Sequence, residues 1–168
     1  LSIIANANTV AIFAANVMNG TWSMGLVGPS RIVLALFVAV LTALMFGLLN
    51  GFIVAQTSAT SLIATLGTMT LIQGIGMAVT GGSSVGNIDP LFAEFGKSIF
   101  LGLPLIFWCF LTVSLLLAGV IGFTTFGRKL YLFGGNPIVA RFSGINNEKM
   151  TITVFLLTAL LSGMAGLI

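Results

Sequence analysis

Acid–base, metal or nucleophilic chemistry needs ionisable groups at set spacings, and this sequence offers few. It has no histidine, three carboxylates (Asp89, Glu94 and Glu148) and a single thiol, Cys109. Cys109 sits inside an apolar run, where a free thiol behaves as a small inert hydrophobe; one cysteine can build neither a disulfide nor a metal framework within a chain. The tetrapeptide FGKS, Phe95–Ser98, imitates the end of a phosphate-binding loop, but the GxxxxGK[ST] spacing needs glycine at position 91, and Leu91 is there. Asp89 and Glu94 read as solvated loop charges. No catalytic residue, no metal ligand and no cofactor bound by this chain are therefore expected. Two polar inventories remain: uncharged amides and hydroxyls inside apolar runs, and a basic stretch, Phe126–Met150, that holds four of the six cations. Groups of these kinds can hydrogen-bond a neutral solute or meet a partner.

Composition says where such groups must work. Hydrophobic residues make up 58% of the chain and charged ones 5%, against about 25% charged in soluble domains. This is the composition of an integral membrane protein. The net charge of +3 over 168 residues makes no nucleic-acid footprint, so the cations are read as topology. Crossing the hydrocarbon core takes about 20 apolar residues. Four runs meet or approach that length: Ile32–Ala55, Ser61–Val79, Ile99–Gly122 and Thr151–Ile168. The opening run, Ile3–Met18, is shorter and carries Asn6, Asn8 and Asn16, which fall with Thr9 on one broad helical face. That face is assigned to protein or a water-lined cavity, with a re-entrant segment as the second choice. The fold class expected is all-α, a polytopic transmembrane bundle of about five spans. The chain begins without Met at LSIIANANTV and stops in LLSGMAGLI without a polar flank, so residues 1–168 are expected to form one transmembrane domain that is part of a longer protein.

Loops between spans alternate sides. Residues 123–150 carry Arg128, Lys129, Arg141 and Lys149 against Glu148, while 80–98 carry Lys97 with Asp89 and Glu94. Positive residues favour the cytoplasm, so 123–150 is placed inside and 80–98 outside, with Arg31 a minor exception at the outer end of its span. Trp22, beside an outer loop, is the better interfacial anchor; Trp108 fits an interfacial or packing role. Gly47 and Gly51 form a GxxxG pair, and Gly163 with Gly166 a second small-residue surface, both read as sites of close helix packing.

Within the basic stretch, Gly134-Gly135 is expected to break the preceding segment. Asn136-Pro137 then supplies an N-cap and a proline at the first helical position. A short helix should run through PIVARF to Ser143, with Gly144 as a left-handed C-terminal cap. Ile138, Val139 and Phe142 form an apolar stripe beside Arg141. So short a helix is marginal alone and needs something to dock on. Asn146 or Asn147 caps the next helix, with Glu148 in its first turn. Spacing leaves two occupants open, an anionic lipid surface or a cytoplasmic partner.

The spans carry no charged side chain, whereas proton-coupled carriers need Asp, Glu or His near the midplane. A polar path would have to be lined without charge. Ser61, Thr65, Thr68 and Gln73 lie within about 140° of one helical face at 100° per residue, and Asn6, Asn8, Asn16 and Asn50 add amides. The six retained as path residues are Asn8, Asn16, Asn50, Thr65, Thr68 and Gln73. Against each stands the plainer role of bonding a backbone carbonyl or joining two helices.

The stretches GLLNGFIVA, SLIATLGTMTLIQGIGMAVTGG and above all FGRKLYLFGGNPIVARFSGIN resemble the permease subunits of bacterial ATP-binding cassette importers for ribose and other simple sugars, autoinducer-2 permeases among them. The resemblance covers essentially the whole chain, and the opening LS is similar to the tail of that family's Gly-(Ile/Val)-Asp-Leu-Ser segment. It departs from the pattern at Ala5 and at Gln73, where a basic residue is often seen. The resemblance implies that Pro137–Ser143 is a cytoplasmic coupling helix, with Arg128, Gly135, Asn136, Pro137, Ala140, Arg141, Gly144 and Ile145 matching the loop motif; on physical grounds Gly135, Asn136, Pro137 and Gly144 would fix the backbone while Ile138, Phe142 and Arg141 touch the partner. It further implies a cytoplasmic ATPase subunit that binds ATP and magnesium, a second permease subunit in a homo- or heterodimer, a sugar-binding protein outside that carries most of the specificity, and the bacterial inner membrane as location. An ion-coupled carrier, or a membrane scaffold whose basic loop binds lipid, is the alternative.

Overall fold

A computed structural model describes residues 2–19, 29–57, 61–83, 96, 98–100 and 102–167. In chain order these form helices α1 (Ser2–Met18), α2 (Pro29–Gln56) and α3 (Ser61–Thr80), a two-stranded hairpin β1 (Ile99–Phe100) and β2 (Leu103–Pro104), then α4 (Leu105–Phe123), α5 (Thr125–Gly135), α6 (Pro137–Phe142) and α7 (Asn147–Leu167). Helices α2, α3, α4 and α7 are long and apolar enough to cross a membrane, and α1 is a shorter apolar helix. Lipid offers no hydrogen bond to a bare N–H or C=O, so a spanning segment must satisfy its backbone internally. The readings for Trp22, Asp89, Glu94, Lys97 and Leu91 fall outside the described residues.

One boundary differs from those expected. The run Ile99–Gly122 is not one helix: Ile99 and Phe100 pair antiparallel with Pro104 and Leu103, Gly102 turns the chain at φ +80°, and α4 starts at Leu105. Hydropathy is blind to this turn, because the hairpin residues are as apolar as the helix. Trp108 closes the junction, its indole N–H donating to the Phe100 carbonyl at 3.1 Å while the ring meets Phe100 edge-on at 6.1 Å. The last helix begins at Asn147, as its polar cap led one to expect, four residues ahead of the apolar run that starts at Thr151.

α1, α2, α3 and α7 pack together, with α1 against the other three. The opening run is therefore an inner helix. It buries Ala5, Asn6, Thr9, Val10, Ala14 and Val17. Its apolar partners on α2 are Ala35, Ala39 and Ala43, each at most 1% exposed. These alanines recur every four residues and lead into Gly47 and Gly51, giving α2 one flat face. Association in lipid lacks a hydrophobic drive between helices and depends on close van der Waals approach. A Cβ on Gly47 would stand 2.6 Å from the Cβ of Ala159, and one on Gly163 would stand 2.8 Å from that of Ala43. The α2–α7 seam admits no larger residue at either point. α4 buries nothing and is apolar all round, as a helix bathed in lipid is.

Gly163→Leu should lower the stability of the solubilised protein by about 1–3 kcal/mol, as overpacking does. Gly74→Ala, where an added Cβ meets nothing within 4 Å, should leave it unchanged or slightly raised. Heat-denaturation midpoints in mild detergent compare the two, and equal midpoints would refute the seam.

Candidate functional site

The basic stretch folds as a chain of caps. The Thr124 hydroxyl accepts from the Gly127 N–H at 3.4 Å and opens α5. α5 then passes straight through Gly134 and Gly135, against the expected break. Neither glycine takes a positive φ, and the Asn136 N–H still donates to Leu132 O at 3.1 Å. The chain turns one residue later, at Asn136, φ −157° and ψ 105°. Glycine permits a break, whereas Pro137 imposes one by forcing the residue before it out of the helical region.

Asn136 Oδ1 accepts from the Ile138 N–H at 2.9 Å and the Val139 N–H at 3.3 Å. The six residues of α6 follow. Gly144 ends the turn at φ +79°, a conformation that suits glycine. There its N–H meets Arg141 O at 3.1 Å while the Ile145 N–H meets Ala140 O at 3.0 Å. Asn146 Oδ1 accepts from the Lys149 N–H at 3.0 Å and caps α7. Asn147 does something spacing did not reveal: its Nδ2 reaches back to Pro137 O at 3.0 Å. α6 is thus tied to the first residue of a membrane-crossing helix.

The same geometry sorts the faces of α6. Ala140 is fully buried, whereas Ile138 is 67% and Phe142 89% exposed. Val139, Arg141 and, on α5, Arg128 are exposed too, and Ile145 is half-buried. The helix presents a bare apolar face beside a cation, braced from behind.

A second polar region lies among α1, α2, α3 and α7. It is a cavity of about 340 Å³ lined by Ser2, Ile3, Asn6, Gly47, Asn50, Ser61, Leu62, Thr65, Val154, Phe155, Thr158 and Ala159. Asn50 joins three helices: its Nδ2 donates to Ser2 Oγ on α1 at 3.1 Å, and its Oδ1 accepts from the Thr68 hydroxyl on α3. Asn6 Nδ2 donates to Ala159 O on α7 at 3.1 Å. Each such bond is worth about 0.6 kcal/mol in lipid. Thr65 and Thr158 donate to carbonyls of their own helices, Leu62 O at 3.1 Å and Val154 O at 2.8 Å.

Of the six path residues expected, Asn50 and Thr65 line this cavity. Thr68 is buried behind them and joins helices. Asn16 is half-buried and bonds Ile12 O on its own helix at 3.0 Å. Asn8 and Gln73 are exposed and do not line this cavity. The reason is angular: Asn8 stands about 200° around α1 from buried Asn6, and Gln73 about 140° around α3 from buried Thr68, at 100° per residue. The cavity adds Asn6 and Ser61, which share those polar faces, together with Ser2 and Thr158. Nothing singled out the last pair, since a lone hydroxyl in an apolar helix looks like any other back-bonded residue.

Comparison with known proteins agrees with these features. Residues 3–168 match the family model described as branched-chain amino acid transport system / permease component. The ribose import permease protein RbsC of Haemophilus influenzae is 37% identical over 142 residues, 82% of this chain and 44% of that protein. The L-arabinose transport system permease protein AraH of Escherichia coli is 34% identical over 119 residues, 71% of this chain and 36% of that protein. The autoinducer 2 import system permease protein LsrC of Salmonella typhimurium is 31% identical over 134 residues, 80% of this chain and 39% of that protein. The chain thus spans less than half the length of these curated relatives. No solved structure matches it. With its spanning helices and a match that runs over nearly every residue, the chain is a multi-pass membrane protein and belongs to the branched-chain amino acid transport system / permease component family.

Proposed function

We propose that this chain is the membrane-crossing permease part of an ATP-driven importer for a simple sugar or similar neutral solute, in the bacterial inner membrane. The observation that carries the reading is α6: a capped helix too short to stand alone, fixed to α7, with Ile138, Val139 and Phe142 bare beside Arg141. Those side chains fit a groove on a cytoplasmic ATPase subunit, which would bind the ATP and magnesium. Arg128 matches the loop motif with the rest; Gly135, Asn136, Pro137 and Gly144 have the shaping role, and Arg141 makes the charged contact. Residues 123–150 then lie in the cytoplasm and 80–98 outside. A second permease subunit and an external sugar-binding protein complete the assembly.

The family description names amino acids and the relatives' names speak of ribose, arabinose and autoinducer 2. The cavity favours the neutral class. An amino acid brings a carboxylate and an ammonium, which need charged partners or helix termini aimed at them. The cavity wall has no ionisable side chain, and although α1 and α3 begin on it at Ser2 and Ser61, it offers no counter-charge for an ammonium. Among the described residues the middles of the spans carry no charge, Arg31, Glu148 and Lys149 lying in the first turns of their helices, which also disfavours a proton-coupled carrier. The lipid reading survives for α5, whose exposed Arg128 and Lys129 suit an anionic surface.

Arg141→Glu, made in the full-length protein and extracted gently from native membranes, should reduce the copurifying ATPase about tenfold or more, the scale of a reversed charge at an interface. Equal recovery from wild type and variant would refute the docking role. Gly144→Pro conflicts with φ +79° and removes the N–H that Arg141 O accepts. It should abolish uptake without loss of membrane protein, read by transport and immunoblot. Depleting ATP with ion gradients clamped should stop solute uptake; uptake that continues would favour an ion-coupled carrier.

A further inference from the structure

We infer that the outer groove between α1 and α3, at Asn8 and Gln73, is the face by which this chain meets a second copy of itself. The inference rests on the proposed function only for the existence of a second permease subunit, and adds which surface that subunit covers. The Thr9 hydroxyl of α1 donates to Ile72 O of α3 at 3.4 Å. One turn further along both helices, a Cβ on Gly76 would stand 3.4 Å from Ile12 Cδ1, so α1 and α3 run side by side in the same direction. Asn8 precedes Thr9 and Gln73 follows Ile72, which turns them about 100° from that contact in opposite senses. In a parallel pair, opposite turns from the line of contact open to the same side. Asn8 and Gln73 therefore flank one groove, at one height, and both are exposed.

Gln73 lies about 4 Å along the axis from the midpoint of α3 at ~1.5 Å per residue, deep within a helix that is long and apolar enough to cross a membrane. Hydrocarbon cannot hydrogen-bond an amide, and among the described residues no hydrogen bond reaches either side chain. α4 shows the contrasting, lipid-facing case. It buries nothing, it carries no amide, and its Thr112 hydroxyl donates to Trp108 O at 2.8 Å. On the outer side of α3, Thr70 is satisfied in the same way, donating to Gly67 O at 2.8 Å. The two amides are what this groove leaves unmet. Beside Gln73, exposed Gly74 has nothing within 4 Å of an added Cβ, so another helix can approach closely. Asparagine and glutamine each offer donors and an acceptor. A groove that presents one of each is its own complement under a two-fold rotation, Asn8 of one copy meeting the partner's Gln73 and the reverse.

The test is cross-linking in native membranes. In the full-length permease with its native cysteines replaced, Cys109→Ser among them, a single thiol is placed by Met77→Cys or Thr70→Cys. Both positions share the outer side of α3 with Gln73 and leave the two amides in place. A membrane-permeant bismaleimide should join two copies through either thiol, and should not do so through Phe110→Cys on exposed α4. Adding Asn8→Leu and Gln73→Leu should lower the joined fraction about threefold for each amide pair lost, the scale of one interhelical hydrogen bond in lipid. Gln73→Asn, which keeps the amide, should retain most of it. No joining through Met77→Cys and Thr70→Cys, equal joining through Phe110→Cys, joining to a different protein, or a joined fraction unmoved by loss of both amides would overturn the inference. No ATPase takes part in the reaction: two copies joined without copurifying ATPase would keep this face and sink the importer reading, while copurification without joining would do the reverse.

Discussion

Hydrocarbon offers no hydrogen bond, and every other feature of this chain follows from that. Backbone groups must pair within each crossing segment, which makes the spans helices. Helices in lipid then gain little from apolar contact with one another and associate where their backbones can approach and where polar side chains can bridge. The α2–α7 seam answers the first need with Ala35, Ala39, Ala43, Gly47 and Gly51 along α2, and Ala159 and Gly163 on α7. Asn50 and Asn6 answer the second, bridging α2 to α1 and α3, and α1 to α7.

The same constraint explains why the cavity lies where it does. Close approach on the α2–α7 seam and amide bridges set the spacing of four helices, and space remains beside Gly47 and Asn50 at the starts of α1 and α3. Amides hold the helices together and also give the cavity its polarity. Asn6 and Asn50, which bridge helices, are also among the residues that line the cavity.

At the membrane surface the solvent changes and so does the device. α6 has few hydrogen bonds of its own, and its shape is imposed from both ends by Asn136, Pro137 and Gly144. The bond from Asn147 to Pro137 O fixes this small helix to α7. α7 then runs without interruption to Val154, Phe155, Thr158 and Ala159 on the cavity wall.

The sequence by itself determined the all-α membrane class, the existence of each long helix, the GxxxG surface and the caps of α6. These depend on local composition and on residue types with one strong backbone preference, such as Asn-Pro and a C-terminal glycine. Its errors fell where two outcomes are locally equivalent. Apolar residues 99–104 suit a hairpin as well as a helix, and Gly134-Gly135 suits a helix end or its interior. Asn8 and Asn6 are alike in type and differ only in angle, and which of them faces protein is set by where α2, α3 and α7 pack around α1. Only the tertiary structure decided that Asn6 and Asn50 line one cavity, that Thr158 joins them there from the far end of the chain, and that Asn147 ties α6 to α7. Each of these contacts joins separate helices, and no local preference encodes how separate helices turn toward one another.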